Sequence, residues 1–470
     1  MLDERTNFSL EDMDRESLFH PLTSIAAHER SGPAIMDEAR GAVLRDHQSR
    51  EIVDCSGGLW CVNIGYGRPE LAEAAKSAML DLNYWHLFGS ASHESAIRLA
   101  DRILQLLHEQ AGARHLKRVF FGTSGSDAND TNYKLVRYWA TLRGTPEKRK
   151  IISRTGGYHG LTTIATRLTG IDAYHKAWNL PEADIVYTSC PHHYRFGHDG
   201  ESEAAFCDRL IAELEAIIER EGPETIGGFI AEPIMGTGGV LIPPAGYFER
   251  VQALLRQHDI LFIADEVISG FCRTGEWFAT GLYDLEPDLL TLAKGVTSAY
   301  FPLSASVVSE RVWQVLESGS PTHGPVMHGF TYSGHPVGCA VGLANLEIME
   351  RENMAANAAL TGAHLLAGLR DRLGEHPFIG EIRGEGLMIG VEFTADRARR
   401  RPFRPDAVPH RLVAAKALEH GLMVRGLPFI EVISFSPPLC ITKDECDQAV
   451  DRFARAVDDM TPELARLAGG

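Results

Sequence analysis

Residues 259–275 read DILFIADEVISGFCRTG. The apolar run Ile260–Ala264 stops at two adjacent carboxylates, Asp265 and Glu266. A short unbroken apolar run reads as a strand buried on both faces, as in parallel sheets. Two other runs have the same form. Arg118–Phe121 (RVFF) precedes a glycine, and Ile226–Ala231 (IGGFIA) precedes a glutamate. Amphipathic patterns at Phe206–Arg220 and Gly246–Gln257 lie between the runs. Such alternation implies an α/β fold with a mainly parallel central sheet covered by helices on both faces. Ligands of these sheets sit at the carboxyl ends of the strands, so the residues just after each run are the ones to read for chemistry.

The flanks read differently. Ala42–Val53 has the pattern of a hairpin, and Ile382–Phe393 and Leu422–Phe435 each read as a strand near a C-terminal helix. We expect a smaller α+β domain built from both chain ends. The expected division is an N-terminal segment of the small domain at 1–66, a large domain at 67–340 and the rest of the small domain at 341–470. No internal repeat or low-complexity segment interrupts this plan.

A chain of 470 residues is too long for one ordinary domain. Its 44% hydrophobic and 23% charged residues describe a globular protein with a large core. The formal net charge of -17 repels phosphate backbones and anionic lipid, which argues against nucleic-acid and membrane partners. The basic run DRARRRPFR, which includes Arg397–Arg404, reads as a solvated loop. The opening MLDERTNFSL is acidic and polar, unlike a secretory signal. The uncharged stretch Gly295–Ser309 contains Pro302 and is too short to cross a membrane. Eight cysteines without a CxxC pair read as free thiols in a reducing cytoplasm. A zinc site using His192 and His193 near Cys190 is the weaker alternative, because the paired ligand spacing is missing.

Three segments carry chemistry. In Val119–Asn132, VFFGTSGSDANDTN, a strand gives way to a Gly/Ser turn and then a helix. Free amides and hydroxyls at a helix N-terminus favour a phosphate, and glycine lets the backbone come close. A well-capped connection reads the same way. It is neither a Walker loop nor a Rossmann fingerprint. In the opening stretch, Asp265 and Glu266 could bind a metal, act as acid and base, or pair with a buried cation. A helix N-cap is an equal reading of Asp265. In Leu289–Ser298, LLTLAKGVTS, an apolar strand runs straight into Lys294. A desolvated lysine loses its proton readily and becomes a nucleophile. A surface lysine at a strand end is the plain alternative. Taken together, a phosphate cradle, a carboxylate and a nucleophilic lysine at one sheet edge are what pyridoxal 5'-phosphate requires.

ADEVISGFCRTGEWF, LAKGVTSAYFPLSA, GFTYSGHPVGCA, YHG and AEPIMGTGGV occur as blocks in this chain. They resemble the blocks of class III (omega) aminotransferases, a branch of the fold-type I pyridoxal-phosphate enzymes, in the same order. The match runs from about Leu59 to Pro438. The resemblance implies that Lys294 holds the cofactor as a Schiff base and shuttles the proton. It implies that Asp265 pairs with the pyridine nitrogen, with Val267 on one ring face and Tyr158 on the other, beside His159. It assigns Gly125 and Ser126 to the phosphate, joined by Thr331 from a neighbouring subunit, and Glu232 to the cofactor's phenolic oxygen. A shared site would make the active unit at least a homodimer.

The same resemblance places the substrate pocket near Leu59–Asn63 and Tyr84–Phe88. Trp60, Phe88 and Tyr158 would form an aromatic wall for an apolar or arylalkyl amine, although such aromatics also serve as plain core. Arg425 would clamp the acceptor's carboxylate. Two departures stand out. The stretch from Arg425 to Pro437 is longer than usual, and the phosphate turn reads Gly-Ser-Asp where Gly-Ser-Glu is common. The expected activity is ping-pong transfer of an amino group from a primary or omega-amine to a 2-oxo acid, with pyruvate as acceptor. Its rivals are a decarboxylating aminotransferase or aminomutase of the same fold, a non-catalytic protein of that fold, and a metal hydrolase using Asp265 and Glu266.

Overall fold

The computed structural model describes residues 8–182 and 184–469. The acidic opening that argued against a secretory signal lies largely outside these. Three strands come first: β1 (Met36–Arg40), β2 (Val43–Asp46) and β3 (Glu51–Asp54). Seven follow: β4 (Leu116–Gly122), β5 (Lys150–Arg154), β6 (Ile185–Thr188), β7 (Ile226–Ala231), β8 (Leu261–Asp265), β9 (Leu289–Leu292) and β10 (Ser304–Ser309). The last five are β11 (Ile379–Glu385), β12 (Met388–Phe393), β13 (Leu422–Met423), β14 (Arg425–Gly426) and β15 (Val432–Phe435).

The central sheet has seven strands in the order β4-β10-β9-β8-β7-β5-β6. From β9 across to β6 the pairings are parallel. All residues of β7, β8 and β9 are buried, as their unbroken apolar runs require. β10 is the exception to parallel order: it runs antiparallel between β4 and β9. Its stretch carries no sequence sign of that direction.

Two four-stranded sheets flank this core, β1-β2-β3-β13 and β11-β12-β15-β14. The first joins the two ends of the chain, because β13 pairs with β3. The hairpin read at Ala42–Val53 is present as β2 and β3. Ile382–Phe393 is not one strand. It belongs to the hairpin β11–β12, which turns at Gly386. That glycine has φ +53, and a Cβ there would lie 2.3 Å from the Thr274 carbonyl carbon. Leu422–Phe435 is also divided, among β13, β14 and β15. Pro428 lies between β14 and β15, where it cannot supply a ladder donor.

One local feature is unusual. Gly57, Gly58, Leu59 and Trp60 all have positive φ, between 53 and 69. The amides of Trp60 and Cys61 bond back to the carbonyls of Ser56 and Gly57. The result is a single helical turn of reversed hand, costing about 1–2 kcal/mol at each non-glycine residue. Gly57 also presses against β15's exit, where an added Cβ would sit 2.3 Å from Ser436 O. Gly57→Ala should therefore lower unfolding stability by about 2–4 kcal/mol, read as a shift in the denaturation midpoint. A shift below about 0.5 kcal/mol would mean that the turn can rearrange.

Candidate active site

The carboxyl ends of the central strands open on a cavity of about 340 Å³, within the range of small-molecule sites. Its lining includes Lys294, Asp265, Gly125, Ser126, Tyr158, His159, Glu232 and Val267. Eight of the residues singled out from the sequence thus meet in one place.

The cradle comes first. The helix Gly125–Leu142 starts where β4 ends, with Ser124 as N-cap in a capping box with Asp127. Asp127 Oδ2 accepts from the amides of Thr123 and Ser124 at 2.8 and 3.0 Å and from the Thr123 hydroxyl at 2.7 Å. Asp127 Oδ1 accepts from Ser304 on β10. The carboxylate therefore fixes the turn itself. It leaves Gly125 and Ser126, whose amides open the helix and have no partner within it, to face the cavity. The aspartate in Gly-Ser-Asp is thus a capping residue. Gly125 must stay small, because a Cβ would meet Val267 Cγ2 at 2.9 Å.

Asp265 ends β8 and is buried. No helix begins there; turns follow, so the N-cap reading does not hold. Its Oδ2 accepts from His159 Nδ1 and from Asn129 Nδ2, both at 2.8 Å. Its Oδ1 accepts from the Val267 amide at 3.1 Å. Asn129 is oriented in turn by Thr291 of β9, whose hydroxyl donates to Asn129 Oδ1 at 2.7 Å. Asn132 donates to Thr291 Oγ1 at 2.8 Å. Sequence reading missed Asn129, Thr291 and Asn132. The signal available was helical spacing: Ser126, Asn129 and Asn132 recur every three residues, on one face.

Glu266 turns the other way. It accepts from Ser269 and from the amides of Ala279 and Thr280, and does not reach the cavity. Glu232 does reach it. Its two oxygens accept from the Tyr158 and Gly236 amides at 2.9 and 2.8 Å. Burial raises its pKa above the usual carboxylate range, with His159 opposing.

Lys294 follows β9 with φ +40, a left-handed conformation rare for lysine. Strain of this kind persists where the surroundings over-determine it. The side chain keeps partial exposure toward the cavity, yet the atoms packed around it desolvate the amine. Burial lowers its pKa below the ordinary lysine value, while Cys61 and Asp265 pull the other way. A neutral amine is the nucleophilic form. Tyr158 lies edge-on to Tyr174 at 5.5 Å, and burial raises its phenol to about 12.

The remaining expected residues lie elsewhere. Trp60 is 2% exposed and packs with Ile234, Val240, Ile268, Met388, Leu427 and Val432. Phe88 is 49% exposed. Thr331 is exposed, its carbonyl accepting from Tyr84 Oη at 2.9 Å. None of the three lines the cavity of its own chain. Arg425 starts β14, and its guanidinium lies over the Trp60 ring at 5.2 Å from the centroid. Its positive charge acts on both Lys294 and Tyr158. The stretch after Arg425 packs inward, with Phe429 over Gly156 and Ile430 over Gly239. Cys61, within the Leu59–Asn63 segment expected near the pocket, lines the cavity.

The Cys190–His192–His193 grouping does not converge. His193 Nε2 lies 2.7 Å from the Glu201 carbonyl. His192 Nε2 lies 3.4 Å from both Glu381 and Glu392, whose carboxylates Arg383 bridges. All eight cysteines are free. Among the described residues no helix is long and apolar enough to cross a membrane.

Residues 24–457 match the family model described as aminotransferase class-III. The chain belongs to the class III aminotransferases. A diaminobutyrate–2-oxoglutarate transaminase of Halomonas elongata is 44% identical over 465 residues, 98% of each chain. Gamma aminobutyrate transaminase 3, chloroplastic, of Solanum lycopersicum is 41% identical over 93% of this aminotransferase and 82% of its own length. Among solved structures, the omega transaminase of Pseudomonas jessenii in complex with PMP superposes with TM-score 0.94 at 40% identity. It covers 98% of this aminotransferase and 100% of its own chain. The α/β architecture and the family resemblance read from the sequence are borne out. Pyridoxal 5'-phosphate is the cofactor of this aminotransferase, and the site fits it. One cavity offers unbonded helix-opening amides, a doubly braced carboxylate and a desolvated lysine.

Proposed function

We propose that this aminotransferase moves an amino group from a primary or omega-amine to a monocarboxylic 2-oxo acid, pyruvate, by a ping-pong cycle. Bound pyridoxal phosphate supplies a conjugated ring that takes up the electron pair left at the amine's α-carbon. The rest falls to the chain. Lys294 Nζ holds the cofactor in the resting enzyme, then takes the α-proton and returns it. Burial lowers its pKa, which favours the neutral amine that can take that proton. Asp265 holds the ring nitrogen's proton, and His159 and Asn129 hold Asp265 in place. Gly125 and Ser126 bind the phosphate. Val267 and Tyr158 enclose the ring, and Glu232 lies toward its phenolic oxygen.

The acceptor reading rests on the count of cations. Among the described residues Lys294 is the only lysine or arginine lining the cavity, and the charge of Arg425 acts on both Lys294 and Tyr158. One guanidinium clamps one carboxylate; a dicarboxylate calls for two. Trp60 under Arg425 would form the outer wall. The exposed positions of Phe88 and Thr331 are consistent with completing the partner's site in a homodimer. The free thiols fit a reducing cytoplasm.

With one amine donor, kcat/KM for pyruvate should exceed that for 2-oxoglutarate by about 10-fold or more. Arg425→Ala should raise the KM for pyruvate by about 10- to 100-fold and leave a carboxylate-free amine nearly unchanged. The Halomonas relative's name favours the opposite acceptor. A preference for 2-oxoglutarate would therefore transfer the assignment to a dicarboxylate site.

A further inference from the structure

The first two helices, Leu10–Ser17 and Ile25–Ser31, bury none of their own residues. Apolar side chains of the segment, Leu18, Phe19, Leu22 and Ile25 among them, are exposed. A helical pair without a core needs another constraint to hold its shape. Between these helices three potential ligands converge. Asp14 comes from the first helix, His20 from the connection and His28 from the second.

One ligand atom from each lies within 4.8 Å of the other two. His20 Nε2 is 3.0 and 2.9 Å from the two Asp14 oxygens. His28 Nε2 is 2.9 Å from Asp14 Oδ1, yet this buried nitrogen makes no hydrogen bond there. The imidazoles are tilted, with centroids 4.5 Å apart. The side chains of Asp14, His20 and His28 keep only 14%, 29% and 12% of their exposure. Arg15, the nearest basic neighbour in sequence, pairs with Asp12 instead. A cavity of about 250 Å³ borders both histidines and is also lined by Arg15, Glu16 and Glu29.

We propose that Asp14, His20 and His28 form a binding site for a zinc-like divalent cation that staples the first two helices together. Two imidazole nitrogens and a carboxylate oxygen are a usual zinc donor set. Ligand atoms around tetrahedral zinc stand about 3.3 Å apart, so the present contacts need open by only a few tenths of an ångström. The bordering cavity admits water or Glu16 or Glu29 as fourth ligand. Bound metal closes the loop between the helices and restrains their separation. None of the three residues lines the cofactor cavity, so loss of this site would leave transamination, and the reading of it, untouched.

The test uses untagged, cofactor-loaded enzyme dialysed against a chelator and titrated with cobalt(II) or zinc chloride. One equivalent per chain should bind, and cobalt should show the visible bands of a tetrahedral site. Asp14→Asn, His20→Ala and His28→Ala should each weaken binding at least about 100-fold, with turnover unchanged. His364→Ala, at an exposed histidine paired with Asp447, should bind as the parent does. Proteolysis between residues 18 and 24 gives a second readout. At zinc about 100 times its dissociation constant, cleavage should slow about 100-fold in the parent and not in His28→Ala. No zinc binding, or an unchanged dissociation constant in His28→Ala, would overturn the proposal.

Discussion

Lys294→Ala is expected to lose turnover by about 10⁴-fold or more and to leave a folded protein. In the proposed cycle the substitution removes both the anchoring amine and the group that carries the α-proton. It does not remove the phosphate cradle, which belongs to the helix Gly125–Leu142, or Asp265, which belongs to β8. Cofactor should therefore still bind, but with the absorption of free pyridoxal phosphate rather than the yellow band of the lysine-linked form. The backbone at 294 keeps its positive φ in the variant, so stability should change little. The measurement is single-turnover kinetics with saturating amine, alongside the spectrum. Turnover within about 10-fold of the parent would remove Lys294 from the reaction.

Asp265→Asn is expected to reduce kcat about 10³-fold, the scale of losing one aligned charge partner in a water-poor site. A neutral carboxamide cannot hold a proton on the ring nitrogen by charge. A structural penalty comes with it. Both oxygens of Asp265 accept hydrogen bonds, Oδ2 from His159 and Asn129 and Oδ1 from the Val267 amide. Whichever way the amide turns, its NH2 faces a donor. We expect about 1–3 kcal/mol of lost stability, visible in the apoenzyme's melting temperature. Lost activity without lost stability would mean that the network rearranges around the amide. Unchanged activity would place the ring nitrogen elsewhere.

The convergence of the candidate site was legible because its parts are local. β7 and β8 are short apolar runs that end directly at Glu232 and Asp265, and β9 ends two residues before Lys294. The turn at Gly122–Ser126 carries its own glycines and hydroxyls. What escaped depends on distant partners. Thr291 orients Asn129 across 162 positions of sequence, and neither residue type advertises that role. β10 runs antiparallel between β4 and β9, a fact absent from its own composition. The packing behind Trp60 escaped too, because Met388, Leu427 and Val432 arrive from the far end of the chain to meet it.

The pairing of β13 with β3 has a consequence for how the protein is made. β3 gains its outer neighbour only when Leu422 and Met423 arrive to bond alongside Val53 and Asp54. Roughly 370 residues separate the two strands, which at ribosomal elongation rates is a wait of about 20 to 70 s. Through that interval the nascent β3 keeps an unpaired edge while the seven-stranded core is already being synthesised. An open edge is a template for pairing with another chain. Expression at high density, where nascent chains meet, should therefore favour aggregates seeded by the first 60 or so residues, and slower initiation or a holding chaperone should relieve them.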